Sequence, residues 1–206
     1  MGKLRVIVVS LLPCFFLLFF CGCSGNATPS SDINPTFSSS EFLSNESKVP
    51  VSVMLCITDE FGQYSATHRD PADLQTWCLH LGPLATDAYK YAFQNRFSNV
   101  IVKTGEPNFP LNDNVDFVVK PVFTYFKSGE PVVVKFENYW VDLGLDVFIY
   151  DRQGKELQKL ELRNKGIKRG SIGYQSAGFA AYPEACRNAI KPIVVQTVDA
   201  VIKLKK

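Results

Sequence analysis

The 206-residue sequence is short of the residues on which most enzymes and metalloproteins depend. It has two histidines, His68 and His80, and none of the paired Cys/His spacings that build a closed metal site. Cys78 and His80 form a Cys-x-His step, with Asp70, Asp73 or Cys56 at hand as a third ligand, but a surface or packed histidine is the simpler reading and no metal is expected. There is no strand–glycine–Lys-Ser/Thr–helix signature, which excludes a phosphate-binding loop. A Cys–His nucleophilic pair would need an electropositive, accessible setting that the stretch around Cys78 does not announce. Glu60, Asp70, Asp73, Asp142 and Asp146 supply carboxylates, yet no two stand out as general acid and base. No catalytic residue and no cofactor is assigned, and an enzyme is the least favoured class. Excess charge is missing too: 22 Lys and Arg face 20 Asp and Glu, and loss of Lys3 and Arg5 with the leading segment would leave 20 of each. Such a chain has no general field to draw in nucleic acid, and no nucleic-acid partner is expected. No internal repeat is visible.

What is present begins at the amino terminus. Lys3 and Arg5 precede an apolar run over residues 6–20, too short for an ordinary membrane-spanning helix and placed as a signal peptide would be. The run ends in LFFCGCSGNATPSS, where Gly22 precedes Cys23 and Ser24 follows. This string resembles the lipobox of bacterial lipoproteins, in which signal peptidase cuts before a cysteine that carries diacylglycerol. Gly22 and Cys23 match the two most constrained positions, while Phe20 and Cys21 depart from the usual Leu and Ser, Ala or Thr. The resemblance implies a signal peptide over residues 1–22, lipidation of Cys23 and a membrane held through acyl chains, two or three of which give stable anchoring. Ser24, rather than aspartate, resembles lipoproteins sent to the outer membrane. The competing reading is a plain secretory signal cut after Ala27.

Residues 24–48 are rich in Ser, Asn, Thr, Pro and Gly, a mixture expected to form a flexible tether. One domain is expected over residues 49–206, large enough to bury a core without metal or disulfides. Residues 50–58 read as a buried strand and residues 59–73 as a polar loop. Residues 74–97 read as a helix with Leu81, Leu84, Ala85, Ala88, Tyr89, Ala92, Phe93 and Phe97 on one face and Pro83 in its first turn. Strands are expected over residues 99–103, 116–126, 140–151 and 156–163, with residues 132–136 extending the third or standing alone. Pro121 implies an edge or bulge, and residues 151–156 form a hairpin turn. In the third strand Val141, Leu143, Leu145, Val147 and Ile149 face one way, Asp142 and Asp146 the other. A last helix opens at Pro183 and carries Pro192 in its interior. The expected fold is α+β: a single mostly antiparallel sheet of four to five strands with two helices packed on one face, in the order β-α-β-β-β-β-α.

At the level of the whole domain, HLGPLATDAYKYAFQNRFSNV, DFVVKPVF, DRQGKEL and AIKPIVVQTVDAVI resemble small periplasmic domains of bacterial lipoproteins that share the fold of the TolB amino-terminal domain and of penicillin-binding-protein activators. The resemblance implies a non-catalytic accessory protein, lipid-anchored at the outer membrane with its domain facing the periplasm, docking onto an envelope protein complex. It transfers no functional residue, and oligomeric state is not legible. Two places suit a contact surface. One is the Gly-rich segment 164–182, expected as a loop, with Lys165, Lys168, Arg169, Tyr174, Phe179 and Tyr182. The other is the sheet's open face, where Tyr139, Trp140, Phe148 and Tyr150 would mark an interface if clustered. A carrier of lipid or another apolar envelope molecule, with a pocket between helices and sheet, is the alternative. Of the cysteines, Cys56 reads as a small buried hydrophobe, leaving Cys78 with Cys186 as the better disulfide pair.

Overall fold

A computed structural model of the chain describes residues 30–69, 76–111, 113–129, 138–169 and 177–205. Its centre is a five-stranded sheet in the order β5-β2-β6-β7-β8, built from β2 (Val49–Ile57), β5 (Phe97–Thr104), β6 (Phe117–Gly129), β7 (Asn138–Tyr150) and β8 (Glu156–Arg169). The helix α2 (Leu81–Arg96) carries the chain from the end of β2 back to its start, so β5 runs parallel to β2. The next strand, β6, is also parallel to β2, whereas β6, β7 and β8 form an antiparallel meander. The sheet is therefore mixed, not mostly antiparallel, because a helix and then a long loop replace tight turns on one side of β2.

Burial follows strand periodicity. β2 lies between β5 and β6 and is covered on both faces: Val51, Val53, Leu55 and Ile57 join the main core, while Met54 and Cys56 join Val115 and Val118 in a small second core packed by Ile101, Phe109, Leu111 and Tyr150. In β7 the expected alternation holds, with Val141, Leu143, Leu145, Val147 and Ile149 all in the main core. Both long helices, α2 and α3 (Ala177–Leu204), lie on that inward face. Pro121 sits where its missing amide does least harm: β6 pairs with β2 through Val119 and not beyond, and a bulge follows between Phe123 and Tyr125. The β7–β8 turn forms as expected, the Asp151 carboxylate accepting from the amides of Gln153 and Lys155 at 2.9 Å each and Gly154 taking φ +91°.

A second sheet, β1-β4-β3, was not legible in the sequence. It comprises β1 (Ser30–Ile33), β3 (Ser65–Arg69) and β4 (Thr76–His80), with β1 parallel and β3 antiparallel to β4. Three expectations change here. The proposed tether is folded from Ser30 onward: Ile33, Phe37 and Phe42 reach the core at 1%, 5% and 8% exposure, and the two rings meet edge-on at 5.1 Å. Three large apolar side chains scattered through a polar segment are enough to order it, each Phe contributing about 2–3 kcal/mol on burial. The polar loop contains a short helix α1 (Asp59–Gly62) and β3. The expected helix over 74–97 starts at Leu81, because Trp77 and Leu79 point inward with a period of two and Thr76–His80 pairs as a strand. At that start the Leu81 and Gly82 amides donate to the Tyr64 carbonyl, and Gly82 lies so near α1 that a Cβ would meet the Phe61 and Gly62 carbonyl oxygens at 2.5 Å. α3 in turn begins well before Pro183 and holds both Pro183 and Pro192. The expected strand at residues 132–136 falls outside the described residues.

Candidate partner-binding face

The outward face of β6–β8 is built rung by rung from the register. Gly129, Trp140 and Ile167 form one rung; Lys127, Asp142 and Lys165 the next; then Tyr125, Gly144 and Arg163; then Val122, Asp146 and Glu161; and finally Lys120, Phe148 and Lys159. Two glycines make room for rings. A Cβ on Gly129 would run into the Trp140 indole, and one on Gly144 would lie 2.9 Å from the Tyr125 Cβ, so each aromatic side chain lies against bare backbone of its neighbour.

Tyr125, Trp140 and Phe148 each carry a cation, whereas Tyr150, stacked on Phe148 at 6.2 Å, packs onto the small second core instead. The Arg163 guanidinium is 3.9 Å from the Tyr125 ring centre, Lys165 Nζ is 4.1 Å from Trp140, and Lys120 and Lys159 each stand 5.7 Å from Phe148. The carboxylates between the rings hold two of these cations, Arg163 and Lys159. Arg163 donates to Asp142 through two bonds of 3.0 and 2.7 Å, and Lys159 bridges Asp146 and Glu161 at 2.8 Å each. Hydrogen bonding to Arg163 keeps the Asp142 carboxyl below its ordinary range, and bonds to Asp146 and Glu161 raise Lys159. Asp142 and Asp146 are thus not merely the wet side of a strand. They lock long basic side chains flat across the aromatic rings, giving a pre-ordered, half-exposed surface with little rotamer freedom left to lose on docking.

The other expected site residues fall elsewhere. Lys165, Lys168 and Arg169 are not in a loop but in β8, which runs six residues beyond its expected end. It does so because Gly166 lets α3 approach its backbone closely, with Asn164 donating to the Asn188 and Ala189 carbonyls and Asn188 to the Ile167 carbonyl. Lys165 faces outward onto Trp140, whereas Lys168 turns to the helix side and pairs with Glu184 at 2.6 Å. Tyr174 and the side chain of Phe179 lie outside the described residues, as does Cys23. Tyr182 is fully buried and Tyr139 packs edge-on against it at 5.3 Å, so neither belongs to the open face. Tyr125 and Arg163 were missed. Their signal was the shared parity of Lys159, Glu161, Arg163 and Lys165 opposite Phe148, Asp146, Gly144 and Asp142 across a tight hairpin.

Cys78 and Cys186 are separate free thiols. Cys186 is buried in α3, where desolvation pushes it up to about 12, while Cys78 lies on the outer face of the small sheet, turned away from the core. Cys56 is buried as expected and pushed up to about 11. His68 packs against Tyr182 and shares a 2.9 Å hydrogen bond with Ser128. His80, by contrast, comes together with Asp32 and Cys78, the three ligand atoms lying within 4.8 Å of one another. Among the described residues no helix is long and apolar enough to cross a membrane.

The architecture is that of a small α+β domain. A Xanthomonas campestris protein of the DUF330 family shares it, with a TM-score of 0.53 at 10% identity over 86% of this chain and 99% of its own. A minor lipoprotein from Acinetobacter baumannii is similar at a TM-score of 0.43 and 11% identity, covering 74% of this chain and 91% of its own. At 10% identity the likeness to the Xanthomonas protein is one of fold. No family model matches the sequence, and no curated protein matches it.

Proposed function

We propose that this chain is a lipoprotein of the bacterial envelope, acylated on Cys23 at the outer membrane, whose periplasmic domain works without catalysis as a docking module for an envelope protein complex. The single observation that carries the docking role is the outward face of β6–β8, where Tyr125, Trp140 and Phe148 stand in one patch under cations, two of which, Arg163 and Lys159, are themselves fixed by Asp142 and Asp146. Aromatic and arginine side chains in a pre-ordered cluster are the composition of interface hot spots. Carriage of an apolar molecule is less well supported, because the layer between helices and sheet is filled by fully buried side chains such as Tyr89, Phe93, Leu143 and Ile190. The space at its edge is a groove of about 340 Å³ between β8 and α3, with Gln158, Gln196, Asp199 and Lys203 among its walls.

The anchor and the docking face are tested separately. Cys23→Ser moves the chain from the membrane to the soluble fraction and removes acyl mass from the intact protein; an unchanged mass and location would remove the anchor. Trp140→Ala combined with Lys165→Glu leaves the core untouched and abolishes co-purification of the envelope partner from crosslinked membranes. Undiminished recovery of that partner would remove the docking face.

A further inference from the structure

The small sheet assembles a set of metal ligands that no single stretch of sequence contains. Asp32 on β1 lies directly opposite Cys78 on β4, and His80, two residues on, projects from the same face as Cys78. The carboxylate oxygen, the thiol sulfur and an imidazole nitrogen lie within 4.8 Å of one another, and His80 Nε2 is already 3.5 Å from Asp32 Oδ1. Ligand atoms around a tetrahedral zinc with bonds of 2.0–2.3 Å stand roughly 3.3–3.8 Å apart, so side-chain rotation of about 1 Å closes the set. The third strand supplies the outer support. Ser65 on β3 pairs with His80, and its Oγ lies 3.0 Å from His80 Nδ1. A hydroxyl accepting from Nδ1–H leaves the Nε2 lone pair free and aimed at the site, the arrangement that metal-binding histidines use.

We propose that Asp32, Cys78 and His80 bind one zinc ion. Carboxylate, thiolate and imidazole together form a mixed hard and soft set suited to zinc, and magnesium or calcium would be disfavoured by the sulfur. With three protein ligands, and Asp32 and His80 side chains 64% and 31% exposed, the fourth position opens to solvent or to a group from a partner. The ion would also clip β1 to β4, fastening the segment that leads toward Cys23 onto the body of the domain.

Zinc and cobalt titrations of the full chain in detergent, with a phosphine reductant present, test this. One equivalent of cobalt gives a thiolate-to-metal charge-transfer band, zinc displaces it, and zinc raises the melting temperature. Cys78→Ser abolishes the band, Asp32→Asn and His80→Gln weaken binding about tenfold or more, and Ser65→Ala weakens it less. Because these side chains lie on the open face of the sheet, the variants fold and their melting temperatures without metal are comparable to that of the parent chain. No saturable binding in the parent, or a cobalt–thiolate band that persists in Cys78→Ser, overturns the site. Neither result bears on the β6–β8 face.

Discussion

Gly166 lies where strand and helix come closest. A Cβ there would collide with the Ala185 carbonyl and the Ala189 amide of α3, which are backbone atoms that cannot rotate away. Gly166→Ala is therefore expected to destabilise the domain by roughly 2–3 kcal/mol, read from the urea midpoint at unchanged slope. The thiols give a second prediction at this scale. Cys186 has its thiol pushed from 9.0 to about 12 by burial, and Cys56 to about 11. Both stay protonated in the folded chain while the unfolded chain ionises near 9, so this contribution to stability is complete below pH 9 and is lost as pH rises from 9 toward 12. At pH 8 in metal-free native protein, alkylation is expected at Cys78, and Cys56 and Cys186 react only after unfolding, as peptide mass mapping will show.

At the scale of elements the amino-terminal segment is decisive. A tether would tolerate any substitution, whereas a packed β1 and the turn after it would not. Ile33→Ala and Phe37→Ala are each expected to cost about 2–5 kcal/mol in thermal or urea unfolding, and an effect near zero would return the segment to a tether. The strands and helices of the five-stranded sheet were legible because each declares its own period: two in β7, with Val141 to Ile149 inward, and three to four in α2, with Leu84, Ala88 and Tyr89. The small sheet was not, because β1, β3 and β4 are only four or five residues long, too short for a period to stand out, and β1 pairs with β4 across more than 40 residues. Parallel pairing of β2 with β5 and β6 was missed for a related reason: strand order depends on where a connection returns, which composition does not record. The Gly-rich segment departs from the loop its composition suggests because Gly166 serves close packing against α3. The same blindness hid Asp32, whose partners Cys78 and His80 lie more than 40 residues away.

For the molecule as a whole, the two faces of the large sheet have different uses. The inward face of the large sheet is spent on the core beneath α2 and α3, while its outward face over β6–β8 is left to Tyr125, Trp140 and Phe148 with their bound cations. Asp142 serves this face as a fixed charge: held below its ordinary range by hydrogen bonding to Arg163, it stays ionised as pH falls through the ordinary carboxylate range, so partner binding is expected to persist through that range and to weaken only in stronger acid. Partner affinity measured down a pH series, with circular dichroism to follow the fold, checks this. The most direct measurement is site-specific photo-crosslinking in intact cells, with the photoreactive residue at Trp140 or Tyr125 on the open face and at Asp199 or Lys203 beside the groove. A discrete protein adduct from the first two positions and none from the second pair is the predicted result. Adducts of equal yield from both sides, or none from Trp140 and Tyr125, would contradict the assignment.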